Sequence, residues 1–278
     1  MVRLAQNLGI RANPGADEPL DNDNNRDARQ NEILVPSAKT GNALHDILEQ
    51  ADFASWAQAG AAADLLAAGS HSALLIERSL AGRGILSDIQ KDALVREATA
   101  ALVRNSLLAA IPDPAGSGTI TLGAIPGPQR KAEAEFTFTF AKNGGPFPQE
   151  GDAIGGWVLG FMDLLFRHQG RYYLLDWKSN WLPDNNYEKE AIGKNMELHR
   201  YDVQYKVYGL ALHNWLRNRM KEYDPQKHFG GILYVYLRGT MPGSSSGIWT
   251  GRPLLGQLQT EWPAELANRV AGIGKAQV

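Results

Sequence analysis

Cysteine is missing altogether from the 278 residues. Its absence excludes disulfides, thiolate zinc sites and a cysteine nucleophile, and it fits a reducing compartment. No apolar run approaches the roughly 20 residues that a membrane-spanning helix needs. The opening Met1-Val2-Arg3-Leu4-Ala5-Gln6 has no sustained apolar core. A secretory signal is therefore not expected, and a cytoplasmic location without membrane association is. An excess of basic charge is missing too: the formal net charge is −2. The chain thus lacks a global nucleic-acid signature, although a bound cation would change the local field and leave DNA open as a substrate. Nor is there a Gly-x-x-x-x-Gly-Lys-Ser/Thr segment, so no P-loop is expected.

Apolar residues make up 44% of the chain, enough for a sizeable core. Residues 1–30 stand apart. Asp21-Asn22-Asp23-Asn24-Asn25-Arg26-Asp27 cannot build a core, and the arm reads as flexible. Helices follow. Thr40 is a candidate N-cap for a helix through Leu44, Ile47 and Leu48, and Asp88 to Ala110 has a helical apolar period ended by Pro112 and Pro114. From about Glu133 the period becomes two, and Glu135-Phe136-Thr137-Phe138-Thr139-Phe140 reads as a strand broken at Asn143-Gly144-Gly145-Pro146. A long helix is expected over Tyr187 to Tyr223, interrupted near Gly193, with Tyr201, Tyr205, Tyr208, Leu212, Trp215 and Leu216 on its apolar face. Gly230 to Leu237 is nearly all apolar and reads as a strand interior to a sheet. A short helix is expected within Glu261 to Val270.

Between these lies a hairpin that carries chemistry. Gly160 to Phe166 and Tyr172 to Ser179 read as strands joined at Gln169-Gly170. Centring the turn between those two residues sets Asp163 opposite Asp176, with side chains about 5 Å apart at Cβ. Lys178, two residues past Asp176, projects from the same face. Two carboxylates this close repel unless a cation bridges them or one takes up a proton. Oxygen ligands suit Mg²⁺, with Mn²⁺ or Ca²⁺ as alternatives at the same site. The Trp177 carbonyl is a further candidate ligand, since its side chain points to the opposite face. Lys178 would stabilise charge developing on phosphoryl oxygens or orient a water. A glycosidase also uses two carboxylates, but has no need of the lysine. A solvated surface network would explain such charges on most hairpins. Here Leu164, Phe166, Leu174, Leu175 and Trp177 make both faces apolar, and a buried aspartate requires a partner.

The stretch Gly160-Phe161-Met162-Asp163-Leu164-Leu165-Phe166-Arg167-His168-Gln169-Gly170-Arg171-Tyr172-Tyr173-Leu174-Leu175-Asp176-Trp177-Lys178-Ser179 resembles the nuclease domain of the RecB subunit family of exonuclease V. His199 to Tyr208 and His228 to Tyr234 resemble that family's next two segments, in the same order. The resemblance implies an α/β fold of the PD-(D/E)xK, restriction-endonuclease-like kind: a mixed sheet flanked by helices with a helical N-terminal part, over residues 31–278. It implies Mg²⁺-dependent cleavage of single-stranded or unwound DNA, within an exonuclease V-like repair and recombination complex that includes a helicase motor. By motif match, Asp163 and Asp176 carry over as metal ligands and Lys178 as the catalytic lysine. His45, in Gly41-Asn42-Ala43-Leu44-His45-Asp46, resembles the family's metal-binding histidine. A lone helical histidine is otherwise more often a packed or surface residue.

Glu133 and Glu135 share a strand face, so spacing does not choose between them. The following Phe136 favours Glu135 as the accessory acid, by resemblance only. Gln204 and Tyr208 lie four apart on one helical face, and the family's Gln-x-x-x-Tyr segment places such residues near the DNA backbone. Arg200 is a further candidate for phosphate contact. A second reading is a DNA-binding or docking module whose nuclease is idle.

Overall fold

The computed structural model describes residues 32–141 and 154–254, together with 256 and 258. The N-terminal arm, the break at Asn143 to Pro146 and the helix expected within Glu261 to Val270 lie outside the described residues.

Among the described residues four α-helices come first: α1 (Ala38–Gln50), α2 (Phe53–Gln58), α3 (His71–Gly82) and α4 (Ile89–Leu108). The N-cap of α1 is Ser37, not Thr40. Ser37 Oγ accepts from the Thr40 amide at 3.2 Å, and Thr40 Oγ1 instead donates to the Val35 carbonyl at 2.7 Å. Both hydroxyls suit a helix start, and the residue three earlier has the extended backbone that a cap needs. Asp88 caps α4 through the Gln90 amide. This helix ends at Leu108, with Ala109 already extended ahead of Pro112.

After a small ribbon of β1 (Ile111–Pro112) and β2 (Thr119–Ile120), the chain builds one five-stranded mixed sheet. Its strands are β3 (Arg130–Ala141), β4 (Ile154–His168), β5 (Arg171–Lys178), β6 (Phe229–Tyr236) and β7 (Ile248–Gly251), adjacent in that order. Helices α5 (Lys189–Leu198), α6 (Tyr201–Arg219) and α7 (Pro225–His228) connect β5 to β6, which run parallel. All other neighbours in this sheet are antiparallel. This is the expected α/β architecture, helical at the N-terminal side, and of restriction-endonuclease-like type. No helix among the described residues is long and apolar enough to cross a membrane.

The period of two divides the sheet into two cores. Leu164, Phe166, Tyr173, Leu175, Trp177, Leu233 and Val235 pack with Leu44, Ile47, Phe53, Val103 and Leu107 of the N-terminal helices. On the other face, Leu165, Leu174, Ile232, Tyr234 and Tyr236 pack with Val207, Leu210, Leu212 and Leu216 of α6. Strand β6 is buried along its whole length, the interior position its unbroken apolar run predicts.

The β4–β5 turn places both central residues in left-handed backbone, Gln169 at φ 47 and Gly170 at φ 81, as a tight primed hairpin turn requires. The resulting register pairs Leu164 with Leu175 and His168 with Arg171. The ladder ends at Leu164–Leu175, the pair next to Asp163 on one strand and Asp176 on the other.

The long helix expected over Tyr187 to Tyr223 is two helices. The break falls at His199-Arg200, where Arg200 has φ 58, and not at Gly193, which sits inside α5. A glycine in a helix interior costs about 1 kcal/mol relative to alanine without ending the helix. A left-handed residue ends it outright. Helix α6 therefore starts at Tyr201, and that start decides which of its side chains reach the sheet.

Candidate metal centre

Strand alternation fails at one place, and the acidic residues gather there. Met162 packs in the α6-side core while Leu164 packs in the opposite one, although they are two apart on one strand. Across from them, β3 pairs Ala132 with Leu164 and Ala134 with Met162, skipping Glu133 and Asp163. Glu133 has φ 46, a left-handed conformation costing roughly 1–2 kcal/mol for a residue with a side chain. Local irregularities of this kind re-aim side chains. The backbone strain here turns two carboxylates out of the regular faces.

They meet His45. His45, Glu133 and Asp163 each offer one ligand atom, and the three atoms lie within 4.8 Å of one another, close enough to share a metal ion. His45 is buried on α1, with Nδ1 3.7 Å from Asp163 Oδ2. That same Oδ2 accepts from the Trp177 amide at 2.8 Å, which fixes the carboxylate against the end of β5. The Trp177 side chain points into the opposite core, as expected.

Asp176 and Lys178 stand next to this trio, but Asp176 is not one of its three members. Asp176 is 3% exposed and Lys178 is fully buried. Lys178 Nζ lies 2.7 Å from Asp176 Oδ2. Two side chains of α6 complete the arrangement. Tyr208 donates its hydroxyl to Asp176 Oδ1 at 2.8 Å. Gln204 accepts from Lys178 Nζ at 3.3 Å, and its Nε2 lies 3.4 Å from Asp176 Oδ1 and 3.0 Å from the Tyr208 hydroxyl. Both residues are buried and hold Asp176 and Lys178 in place. The expectation drawn from resemblance gave them a DNA-backbone contact instead.

The charges respond to one another. Burial pushes the Asp163 carboxyl well above the usual carboxylate range, and the negative charge of Asp176 pushes it further. The Trp177 amide and Lys178 pull in the other direction, and do not win. Glu133 is raised as well, first by burial and then by Glu49, Asp176 and Asp46. Burial, then the charges of Asp176 and Asp163, raise the Tyr208 hydroxyl, so it remains a donor at neutral pH. A divalent cation beside these carboxylates would offset the repulsion among them. Carboxylate oxygens suit hard divalent cations such as Mg²⁺ and Mn²⁺, and an imidazole nitrogen suits transition metals.

Two sequence candidates fall elsewhere. Glu135 is exposed opposite Phe161, one pair beyond the irregularity. The acid that β3 gives to the cluster is Glu133, because the left-handed turn in the strand is at that residue. Arg200 is 47% exposed, 3.8 Å from Asp202, and contributes the backbone break ahead of α6 instead. Tyr201, read as part of an apolar stripe, sits against Lys178. Its spacing from Gln204 and Tyr208, three and then four residues, was the available signal.

The holding role of α6 gives an expected result. Gln204→Ala and Tyr208→Phe are each expected to weaken binding of a divalent cation about 10- to 100-fold, the usual cost of removing a group that orients a metal-site residue. Titration of Mn²⁺ followed by electron paramagnetic resonance checks it, and unchanged affinity in both variants contradicts it.

The α/β sheet and its acidic centre define a domain of restriction-endonuclease-like architecture. No protein-family model matches the chain. Curated relatives do. A 112-residue stretch is 49% identical to the RecBCD enzyme subunit RecB of Escherichia coli (strain K12), covering 39% of this chain and 10% of that protein. The RecB subunit of Haemophilus influenzae is 44% identical over 104 residues, 37% of this chain and 9% of its own length. That of Mycobacterium tuberculosis (H37Rv) is 36% identical over 103 residues, 36% of this chain and 9% of its own length. The chain is thus similar to RecB subunits over somewhat more than a third of its own length, and that similarity spans about a tenth of each relative.

Proposed function

We propose that this domain is a metal-dependent deoxyribonuclease, the nuclease module of a RecBCD-type helicase–nuclease in DNA repair and recombination. One observation carries the reading: a histidine and two carboxylates with converging ligand atoms stand directly beside a buried aspartate–lysine pair. Similarity to RecB subunits supports the same assignment. His45, Glu133 and Asp163 would hold the ion, with Asp176 and the Trp177 carbonyl completing its ligands, and Mg²⁺ is the assigned metal. When bound, it would polarise the scissile phosphate and lower the pKa of a water.

The chain's own residues do the rest. Lys178 places a positive charge for the phosphoryl oxygens. Tyr208 and Gln204 fix the carboxylate and amine, so neither reorganises during the reaction. The Trp177 amide keeps Asp163 turned toward His45. The substrate is single-stranded DNA or unwound duplex ends, supplied by a motor on another domain or subunit, in the cytoplasm. An idle docking module has no need of a strained backbone, two raised carboxyls and a buried ammonium gathered at one point.

The test is digestion of end-labelled single-stranded DNA by the purified chain. Digestion in Mg²⁺ that stops with EDTA and returns with excess Mg²⁺ supports the reading. Full activity in EDTA overturns it.

A further inference from the structure

Burying an ammonium without compensation is costly, and Lys178 is fully buried. Asp176 Oδ2 and Gln204 Oε1 cover two sides of it. A third side is the face of an aromatic ring. Lys178 Nζ lies 3.8 Å from the ring centroid of Tyr201 and 5.5 Å from that of Tyr234. The two rings are stacked, 6.0 Å apart and 15° from parallel. His199 also stacks on Tyr201, at 5.4 Å and 18°. The Tyr201 hydroxyl is turned away, donating to Asn180 Oδ1 at 3.3 Å, so the π face and not the oxygen meets the amine. Tyr201 is the first residue of α6, placed there by the left-handed break at Arg200. With Gln204 and Tyr208 it forms one stripe of the helix, and the three side chains reach Lys178, both charges, and Asp176 in turn.

We infer that Tyr201 is a positioning residue for Lys178, holding the ammonium by cation–π attraction in the orientation that serves the phosphate. The inference rests on the nuclease reading above. A desolvated cation over a ring face is held more strongly than an exposed one. A tyrosine that merely filled the core would be replaceable by leucine. One that holds a cation is replaceable only by another ring rich in π density.

The test uses the full chain with Mg²⁺ and labelled single-stranded DNA. Tyr201→Leu is expected to lower kcat about 10- to 100-fold, with DNA affinity unchanged. Tyr201→Phe restores the rate to within about 3-fold of the parent, since the ring face is kept. Phenylalanine carrying one, two and then three fluorines at position 201 lowers kcat stepwise as the ring loses π density. A merely structural ring does not produce that dependence. A flat fluorine series, with Lys178→Met inactive, overturns the inference and leaves the nuclease reading standing. If the parent protein digests no DNA, the nuclease reading fails, and the packing is still decided by NMR. The Lys178 ε-methylene resonance is expected upfield from the Tyr201 ring current and at its ordinary position in Tyr201→Leu. An ordinary position in both overturns the inference.

Discussion

Asp176→Asn is expected to abolish DNA hydrolysis, with a loss of about 10³-fold, the upper end for removing one principal charge-stabilising group. Asparagine keeps the shape and can accept from Tyr208, so the variant isolates the charge. That charge does two things at once. It faces the carboxylate of Asp163 closely enough to raise its pKa, and it offsets the Lys178 ammonium at 2.7 Å. Without it, Lys178 loses the carboxylate that touches its ammonium. Leaving one member of a buried ion pair uncompensated costs about 3–5 kcal/mol, so the variant also melts earlier. Circular dichroism at the assay temperature separates the two effects. A folded, inactive protein is the expected outcome, and a folded protein of parental activity contradicts the role given to Asp176.

Asp163→Asn runs the other way on stability. Burial and the Asp176 charge raise the carboxyl of Asp163. Its ionised form is thus disfavoured in the folded protein, and a neutral isostere removes that penalty. The Trp177 amide keeps an oxygen acceptor. In EDTA at neutral pH, Tm is expected to rise by roughly 2–4 °C, about 1 kcal/mol in a domain of this size, while hydrolysis is lost.

The sign with pH follows from the raised value. An acid whose folded pKa lies above its unfolded one is bound by more protons when folded, so stability declines as pH rises from the ordinary carboxylate range through the raised value. Glu133 contributes in the same direction. Mg²⁺ binds the ionised carboxylates and opposes the decline, so its stabilising effect grows over that window. In Asp163→Asn the pH slope is shallower and the Mg²⁺ effect small. Thermal melts at several pH values, with Mg²⁺ or EDTA, check all three statements. A lower Tm for Asp163→Asn in EDTA at neutral pH contradicts the electrostatic account.

Much of this site was legible in the sequence because it depends on short-range rules. Gln169-Gly170 dictates a tight turn, the turn dictates the register, and the register runs up to Leu164 and Leu175, the neighbours of Asp163 and Asp176. The interior place of β6 was equally readable from its unbroken apolar run. What escaped depends on single backbone torsions. Nothing in the composition around Glu133 or Arg200 announces a left-handed residue, since neither is glycine or asparagine. The first choice moved the site acid from Glu135 to Glu133, and the second moved the helix break from Gly193 to Arg200. The holding role of Gln204 and Tyr208 was hidden for a different reason. A polar residue at helical spacing reads equally as a DNA contact or a buried brace, and only tertiary packing distinguishes them.

The proposed divalent ion would sit where His45, Glu133 and Asp163 converge, beside Asp176. Electron paramagnetic resonance of Mn²⁺ titrated into the protein, competed by Mg²⁺, measures that occupancy without reference to DNA. The parent is expected to show a Mg²⁺-displaceable Mn²⁺ site, whose affinity falls at least about 10-fold in His45→Ala and about 100-fold in Asp163→Asn. Equal Mn²⁺ binding by all three proteins would place the ion elsewhere and contradict it.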